Sequence, residues 1–318
     1  MILITGCAGF IGFHLSRRLL EKKVKIIGVD NIDKYYSTKL KQKRISILKK
    51  SKRFNFAKID LGNFNKLKKF LLKKKIETII HLAAQPGVRI SIKKPHNTLN
   101  QNLIPFINIL ELARIKNVKK FIYASSSSVY GDTKTFPFIE KDVNNVPVSV
   151  YGASKLSNEI IAHSYSKNFK LKSIGLRFFT VYGPYGRPDM AYYSFLENLK
   201  KNKIIKVFNK GKMKRDFTYI DDVVDGILKV IQKKFKNFHE ILNIGKGKPD
   251  ELMSLISLLE KSSDKKFKIK FINNIPLGDI KKTFANVDKA KKNIVWKPKT
   301  SLKTGIKKFV DWHNIEND

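Results

Sequence analysis

The chain has one cysteine in 318 residues, Cys7, so no disulfide can form within it, and a cytoplasmic setting is the expectation. No apolar run is long enough to cross a membrane. Met1 to Phe13 is apolar, but it lacks a basic leading segment and is interrupted by Gly6, Gly9 and Gly12, which argues against a secretory leader. The six histidines show no metal-ligand spacing, so no metal is expected. No internal repeat is present. Acidic residues are scarce: 26 Asp and Glu face 65 Lys and Arg, a formal charge of +39. Such a balance suits a nucleic-acid or membrane partner. Yet the positive charges are spread over every expected helix and loop, as at Lys22-Lys23, Lys73 to Lys75 and Lys281-Lys282, and no nucleic-acid module accompanies them. Lysine bias at exposed positions accounts for the pattern. No dedicated nucleic-acid or membrane partner is expected, only loose, salt-sensitive adhesion to polyanions.

What is present begins at the amino terminus. Met1 to Thr5 is a short apolar, β-branched run that reads as a buried strand. It opens onto Gly6, Gly9, Phe10, Ile11 and Gly12, and then onto a segment from His14 to Lys22 with leucines at helical spacing. Glycines so placed permit a tight turn and let backbone approach a pyrophosphate, which the helix N-terminus then faces with free N–H groups. The next strand, Val24 to Val29, ends in Asp30, whose carboxylate can accept from both ribose hydroxyls of NAD. Asn31 follows rather than Arg, so nothing adjacent neutralises a 2′-phosphate and NAD is favoured over NADP. A glycine triplet alone is a weak signal; strand, glycines, helix, strand and terminal acid in one unit are a strong one.

The second constellation is central. Ala124 to Gly131 carries Ser125, Ser126, Ser127 and Ser128, and Tyr151 and Lys155 follow four residues apart, on one face of a helix. An ammonium beside a phenol in a dry site favours phenolate and draws the Tyr pKa down from about 10. A serine at the strand end could reach the same reacting oxygen, completing a base, a cation and a donor aimed at an alcohol. The bland alternative is a helix start with a partly buried tyrosine and a solvated lysine.

The remaining elements follow in order. Leu40 to Leu48 is a short helical patch, and Asn55 to Ile59 is a strand ending at Asp60-Leu61, where Asp60 could cap a helix beginning near Asn63. Thr78 to Leu82 is the next buried strand, and Ala83 and Ala84 after it are small enough for close approach to a cofactor. Asn97 to Ile115 reads as one amphipathic helix, Lys120 to Ala124 as the strand that presents the serines, and Lys172 to Phe178 as another strand. Beyond Gly183 the strand–helix rhythm fades. Ile205 to Phe208 is a short strand, Asp221 and Asp222 are expected to cap a helix from Val223 to Gln232, and Ile241 to Ile244 returns as a strand. The stretch from Phe284 to Trp312 reads as a last strand and helix. Arg187 and Arg215 could each clamp a diphosphate with bidentate hydrogen bonds, with surface charge as the competing reading.

Gly-x-x-Gly-x-x-Gly at the start, the serine-rich strand end and Tyr-x-x-x-Lys together resemble the extended short-chain dehydrogenase/reductase superfamily, sugar-nucleotide branch, from Met1 to about Trp312. The resemblance implies an α/β fold: a Rossmann-type doubly wound parallel sheet over residues 1–183, with a returning segment near 219–245, and a smaller interleaved α/β sugar-nucleotide domain over 184–318. It also implies NAD as cofactor, Asp60 and Leu61 beside the adenine, Leu82 near the same cleft, a UDP-sugar as substrate and a homodimer. In the mechanism so implied, Tyr151 removes a proton from the sugar 4-hydroxyl, Lys155 stabilises the phenolate and holds the nicotinamide ribose, and Ser126 donates to the same oxygen.

Dehydratases of the superfamily need a Thr-Asp-Glu set and its decarboxylases a Glu near the serine. The run Ser126-Ser127-Ser128 has no carboxylate, which favours an epimerase. Asp30 to Tyr36, Ala83 to Arg89, Arg177 to Pro184, Gly186 to Ala191 and Lys214 to Asp222 are most similar to UDP-glucuronate 4-epimerases, and Thr180 stands where glucose-type epimerases usually have Asn. Arg89, Ser127, Ser128, Thr180, Arg187, Arg215 and Asp279 are the substrate contacts so implied. One departure is that the family's Gln-Pro-Gly-Asp reads Pro276-Leu277-Gly278-Asp279, which puts nucleotide affinity in question. A UDP-glucose or UDP-N-acetylglucosamine epimerase, an NAD-binding regulator and a polyanion-binding protein are the alternatives.

Overall fold

The computed structural model describes residues 1–142 and 146–317, with part of the loop before Tyr151 outside that range. The first six strands are β1 (Ile2–Thr5), β2 (Ile26–Asp30), β3 (Phe54–Lys58), β4 (Thr78–His81), β5 (Lys120–Ser126) and β6 (Ser173–Phe178). After them come β7 (Thr180–Tyr182), β8 (Ile205–Phe208), β9 (Lys214–Arg215), β10 (Phe217–Tyr219) and β11 (His239–Ile244), then β12 (Asp250–Glu251) and β13 (Ile269–Ile272). Seven of them form one sheet in the order β11-β6-β5-β4-β1-β2-β3, parallel throughout. Strands β1, β2 and β6 are buried along their whole length, as a sheet covered by helices on both faces requires. The chain runs from β1 out to β3 and then crosses back to β4 on the other side of β1. That reversal opens a crevice beyond the carboxyl ends of β1 and β4, where ligands of doubly wound sheets bind.

Beyond β6 the strands form three small pairs, β7 with β10, β8 with β13 and β9 with β12. Strand β11 rejoins the large sheet beside β6, with Asn243 opposite Arg177. The fully buried Asp216 ties these parts together, because its carboxylate accepts from the backbone N–H groups of Lys246, Gly247 and Ala285. Among the described residues no helix is long and apolar enough to cross a membrane.

Several local expectations are corrected. The first helix begins at Phe10 rather than His14, directly from the glycine turn. The stretch from Asn97 to Ile115 is two helices, Pro95–Asn102 and Ile104–Ile115. Pro105 explains the interruption, since it suits a helix's first turn and cannot donate within one. Asn63, not Asp60, caps the helix Phe64–Leu71, by accepting from Lys66 N at 2.9 Å. Asp221 and Asp222 lie inside the first turn of the helix Ile220–Gln232 and do not cap it. Asp222 instead accepts from the N–H groups of Lys299 and Thr300 at 3.1 and 2.9 Å, and its carbonyl accepts from the indole of buried Trp296 at 2.9 Å. The final stretch holds two helices, Asp288–Ile294 and Leu302–Asn317, and no strand among the described residues.

Candidate active site

The glycine turn leaves β1 at Gly6, which has φ +73, and a Cβ there would lie 2.6 Å from the backbone nitrogen of Ala83. A Cβ on Gly12 would lie 2.1 Å from the Gly6 carbonyl oxygen, so the first helix can start this close to the strand only without a side chain. No side chain caps that helix, and Phe10, Ile11 and Gly12 of its first turn line the cleft. Asp30 is buried at the end of β2, accepting from Ala8 N at 3.0 Å and Ile32 N at 2.8 Å. Burial raises its pKa, against those hydrogen bonds and the charges of Lys41 and Arg44. A bare backbone cradle at a free helix N-terminus, with a carboxylate one strand away, fits the pyrophosphate and ribose of a dinucleotide.

Gly6, Gly9, Phe10, Ile11, Gly12, Asp30, Asn31, Asp60, Leu61, Leu82, Ala83 and Ala84 all line this one cleft, with Ser126, Tyr151 and Lys155 at its far end. The sequence reading missed Lys41, which lines it too: its ammonium donates to Asp33 O at 2.5 Å and lies over the Tyr36 ring. Asn31 follows Asp30, so no cation is adjacent to that carboxylate in sequence. The helix Thr38–Lys49 returns Lys41, eleven residues beyond Asp30, to the same wall, which adjacency in sequence could not reveal.

A second cleft joins the first. Arg89, Ser126, Ser127, Ser128, Tyr151, Thr180, Arg187, Arg215 and Asp279 line it, so Ser126, Tyr151 and Arg187 belong to both. Ser149 caps the helix Val150–Phe169 by accepting from Gly152 N at 3.1 Å. Gly152 lets that helix rest against the serine turn, because a Cβ there would sit 2.6 Å from Ser128 O. The Ser126 hydroxyl donates to Ser128 Oγ and accepts from Ser128 N, both at 3.1 Å. Lys155 is buried and donates to the Ala124 carbonyl at 3.0 Å.

The electrostatics differ from the sequence expectation. Burial raises the Tyr151 pKa, and the groups that offset it are the charge of Arg187 and a hydrogen bond with Ser126. Lys155 lies 5.9 Å from the tyrosine ring centroid, and burial lowers its own pKa to about 8. Its bond to Ala124 O directs the ammonium at the strand end. Arg89 and Asp279, both expected to meet substrate, are paired with each other at 2.8 Å, and the Arg89 guanidinium lies 5.0 Å from the Phe208 ring centroid. The departure from the family pattern spans Pro276 and Leu277; Leu277 is 78% exposed, and a Cβ on Gly278 would meet Val88 and Ile92. Pro276 and Leu277 are not among the residues that line the cleft with Asp279.

A parallel sheet with a glycine cradle at its switch point, and a Ser–Tyr–Lys set at the end of β5, defines an extended short-chain dehydrogenase/reductase. The family model for the NAD dependent epimerase/dehydratase family matches residues 2–245, and the chain belongs to that family. It is 39% identical to a UDP-glucuronate 4-epimerase of Thermodesulfobacterium geofontis, over 99% of this chain and 97% of that one. UDP-glucuronate 4-epimerase 2 of Arabidopsis thaliana is also 39% identical, over 98% of this chain and 75% of its own. The crystal structure of UDP-glucuronic acid 4-epimerase from Bacillus cereus, in complex with UDP-glucuronic acid and NAD, superposes with a TM-score of 0.92 at 35% identity, covering 99% of each chain.

Proposed function

We propose that this protein is an NAD-dependent UDP-sugar 4-epimerase that interconverts UDP-glucuronate and UDP-galacturonate through a transient 4-keto sugar. The observation that carries the reading is the placing of Ser126 and Tyr151 where the two clefts join, with Lys155 behind them. Tyr151, whose burial is offset by the charge of Arg187 and a hydrogen bond with Ser126, is assigned as the base that takes the proton of the sugar 4-hydroxyl, and Ser126 donates to the same oxygen. Lys155 holds the ribose at the reacting end. Bound NAD supplies a hydride acceptor for carbon four, and afterwards the donor. Once the keto sugar has turned, Tyr151 returns the proton and the configuration at carbon four is inverted. Positioning and preorganised charge lower the barrier. Arg89, Arg215 and Asp279 are assigned to the uridine diphosphate.

Oxidation at carbon four makes a β-keto acid, which loses carbon dioxide when its carboxylate bond aligns with the carbonyl π-system. Ser127, Ser128, Thr180 and Arg187 line the sugar cleft and are assigned to hold the carboxylate out of that alignment. Each such hydrogen bond is worth about 0.5–3 kcal/mol. The test is incubation with UDP-glucuronate and UDP-glucose and chromatography of the products. UDP-galacturonate with little UDP-pentose is expected; dominance of UDP-pentose, or faster turnover of UDP-glucose, refutes the reading. A cytoplasmic homodimer completes the proposal. Ile104, Ile107 and Ile160 are exposed on the helices Ile104–Ile115 and Val150–Phe169, where the superfamily resemblance puts the subunit contact. A monomer mass in light scattering removes that part.

A further inference from the structure

Arg187 lines both clefts, and two residues outside the proposed chemistry decide where it points. Asp189 binds its guanidinium along one edge, Nε to Oδ1 at 3.0 Å and Nη2 to Oδ2 at 2.5 Å. The Tyr35 hydroxyl donates to the same Oδ2 at 3.0 Å. Burial, then the charge of Asp189, pushes the Tyr35 pKa up to about 12, so the phenol stays a donor. Tyr35 comes from the segment just after Asp30, braced by Tyr35 N on Asp33 Oδ1 at 2.7 Å and by Lys41 on Asp33 O. Its oxygen also lies 2.8 Å from where a Cβ on Gly87 would be, so it touches the backbone leading to Arg89.

The backbone of the Arg187 loop is pinned from the cofactor side as well. The fully buried Arg44 donates to Tyr185 O at 2.6 Å and Gly186 O at 3.0 Å, and to Ala8 O in the glycine turn at 2.7 Å. The loop is thus attached to the dinucleotide cradle through Arg44, and its reactive side chain to the ribose-binding segment through Tyr35. With Nε and Nη2 on Asp189, the guanidinium is held along one edge where Arg187 lines the sugar cleft.

The geometry points to Tyr35 and Asp189 as positioning residues: a latch, built from the cofactor-binding segment, that fixes Arg187 against a uronate carboxylate and so sets both substrate preference and product partition. This rests on the proposed function. Without the Tyr35 bond the Asp189–Arg187 pair swings as a unit, and the carboxylate loses its cation while a neutral hexose loses nothing. Asp189→Asn also weakens the fork itself, since an amide cannot accept with both atoms.

The test uses the purified full chain with NAD, comparing Tyr35→Phe and Asp189→Asn with the unaltered enzyme. For UDP-glucuronate, kcat/KM is expected to fall about tenfold in Tyr35→Phe and further in Asp189→Asn, scaled as a lost hydrogen bond to a charged group. The fraction leaving as UDP-pentose should rise, and the kcat/KM ratio of UDP-glucuronate to UDP-glucose should fall about tenfold or more. In the free protein, amide hydrogen exchange at 187–190 should quicken in Tyr35→Phe with that at 2–12 unchanged. A role in folding alone would slow both substrates alike and raise exchange throughout. An unmoved ratio between substrates and unmoved partition overturns the latch. Failure of the unaltered enzyme to turn over UDP-glucuronate instead removes the substrate reading, and the latch with it.

Discussion

Tyr151, Lys155 and Glu159 recur every four residues along one face of the helix Val150–Phe169, so whatever holds Glu159 also holds the proposed catalytic pair in register. Glu159 and Arg177 are both almost fully buried, 5% and 4% exposed. The guanidinium grips the carboxylate with Nε at 2.9 Å and Nη2 at 2.7 Å. The Ser125 hydroxyl donates to the same carboxylate, and the guanidinium lies 4.7 Å from the Tyr130 ring centroid. Burial works against the arginine's charge, but the bonds to Glu159 and the charge of Glu159 outweigh it and raise its pKa.

Glu159→Gln keeps the shape and leaves a desolvated guanidinium without its counter-charge. Breaking one partner of such a pair costs about 3–5 kcal/mol, against roughly 0–1 kcal/mol for an exposed pair. For a chain of this size that is roughly 4–8 °C in Tm. The assay is thermal unfolding at fixed protein and NAD concentration, because bound cofactor shifts the midpoint by mass action. Replacing both partners, Glu159→Leu with Arg177→Met, should recover most of the loss, as no buried charge then remains. A single-variant loss under about 1 kcal/mol, or a double variant weaker than the single, refutes the argument. Ser125 neighbours Ser126, so kcat of Glu159→Gln should fall more than its KM rises.

Tyr151→Phe should lower turnover by about 10²–10⁴-fold while NAD stays bound, since only the phenol is lost; near-normal product formation refutes its role as base. Asp30→Ala should narrow the preference for NAD over NADP by about tenfold or more, because the carboxylate goes and Lys41 stays; cofactor titration of apo protein decides it, and equal affinities in the unaltered protein refute the discrimination. Burial lowers the pKa of His14 and of His81 to about 3, against about 6.5 when unfolded. Folded values depressed in this way leave stability intact above about pH 6.5 and lose it as pH falls toward 3, at up to about 1.4 kcal/mol per unit for each histidine. A Tm unchanged between pH 7 and pH 5 would contradict this.

The sequence by itself determined whatever depends on near neighbours. The buried strand, glycine turn and helix of the first 21 residues, the acid at the end of β2 and the four-residue spacing of Tyr151 and Lys155 follow from periodicity and sterics within a few turns of chain. The reading failed even locally where a proline was passed over, at Pro105, and where an acid's partner is distant. Asp222 looks like a helix cap in sequence, yet its partners are the N–H groups of Lys299 and Thr300.

Tertiary structure alone decided which charges meet. Tyr35 and Asp189 are 154 residues apart, Arg89 and Asp279 are 190 apart, and Arg44 bonds a loop more than 140 residues away. In a chain with 65 basic residues no pattern marks these few cations among the solvated rest. What separates Arg44 is burial, because a charge removed from water must find its own partner, whereas Arg89 stays exposed and is marked only by Asp279, which the fold brings to it.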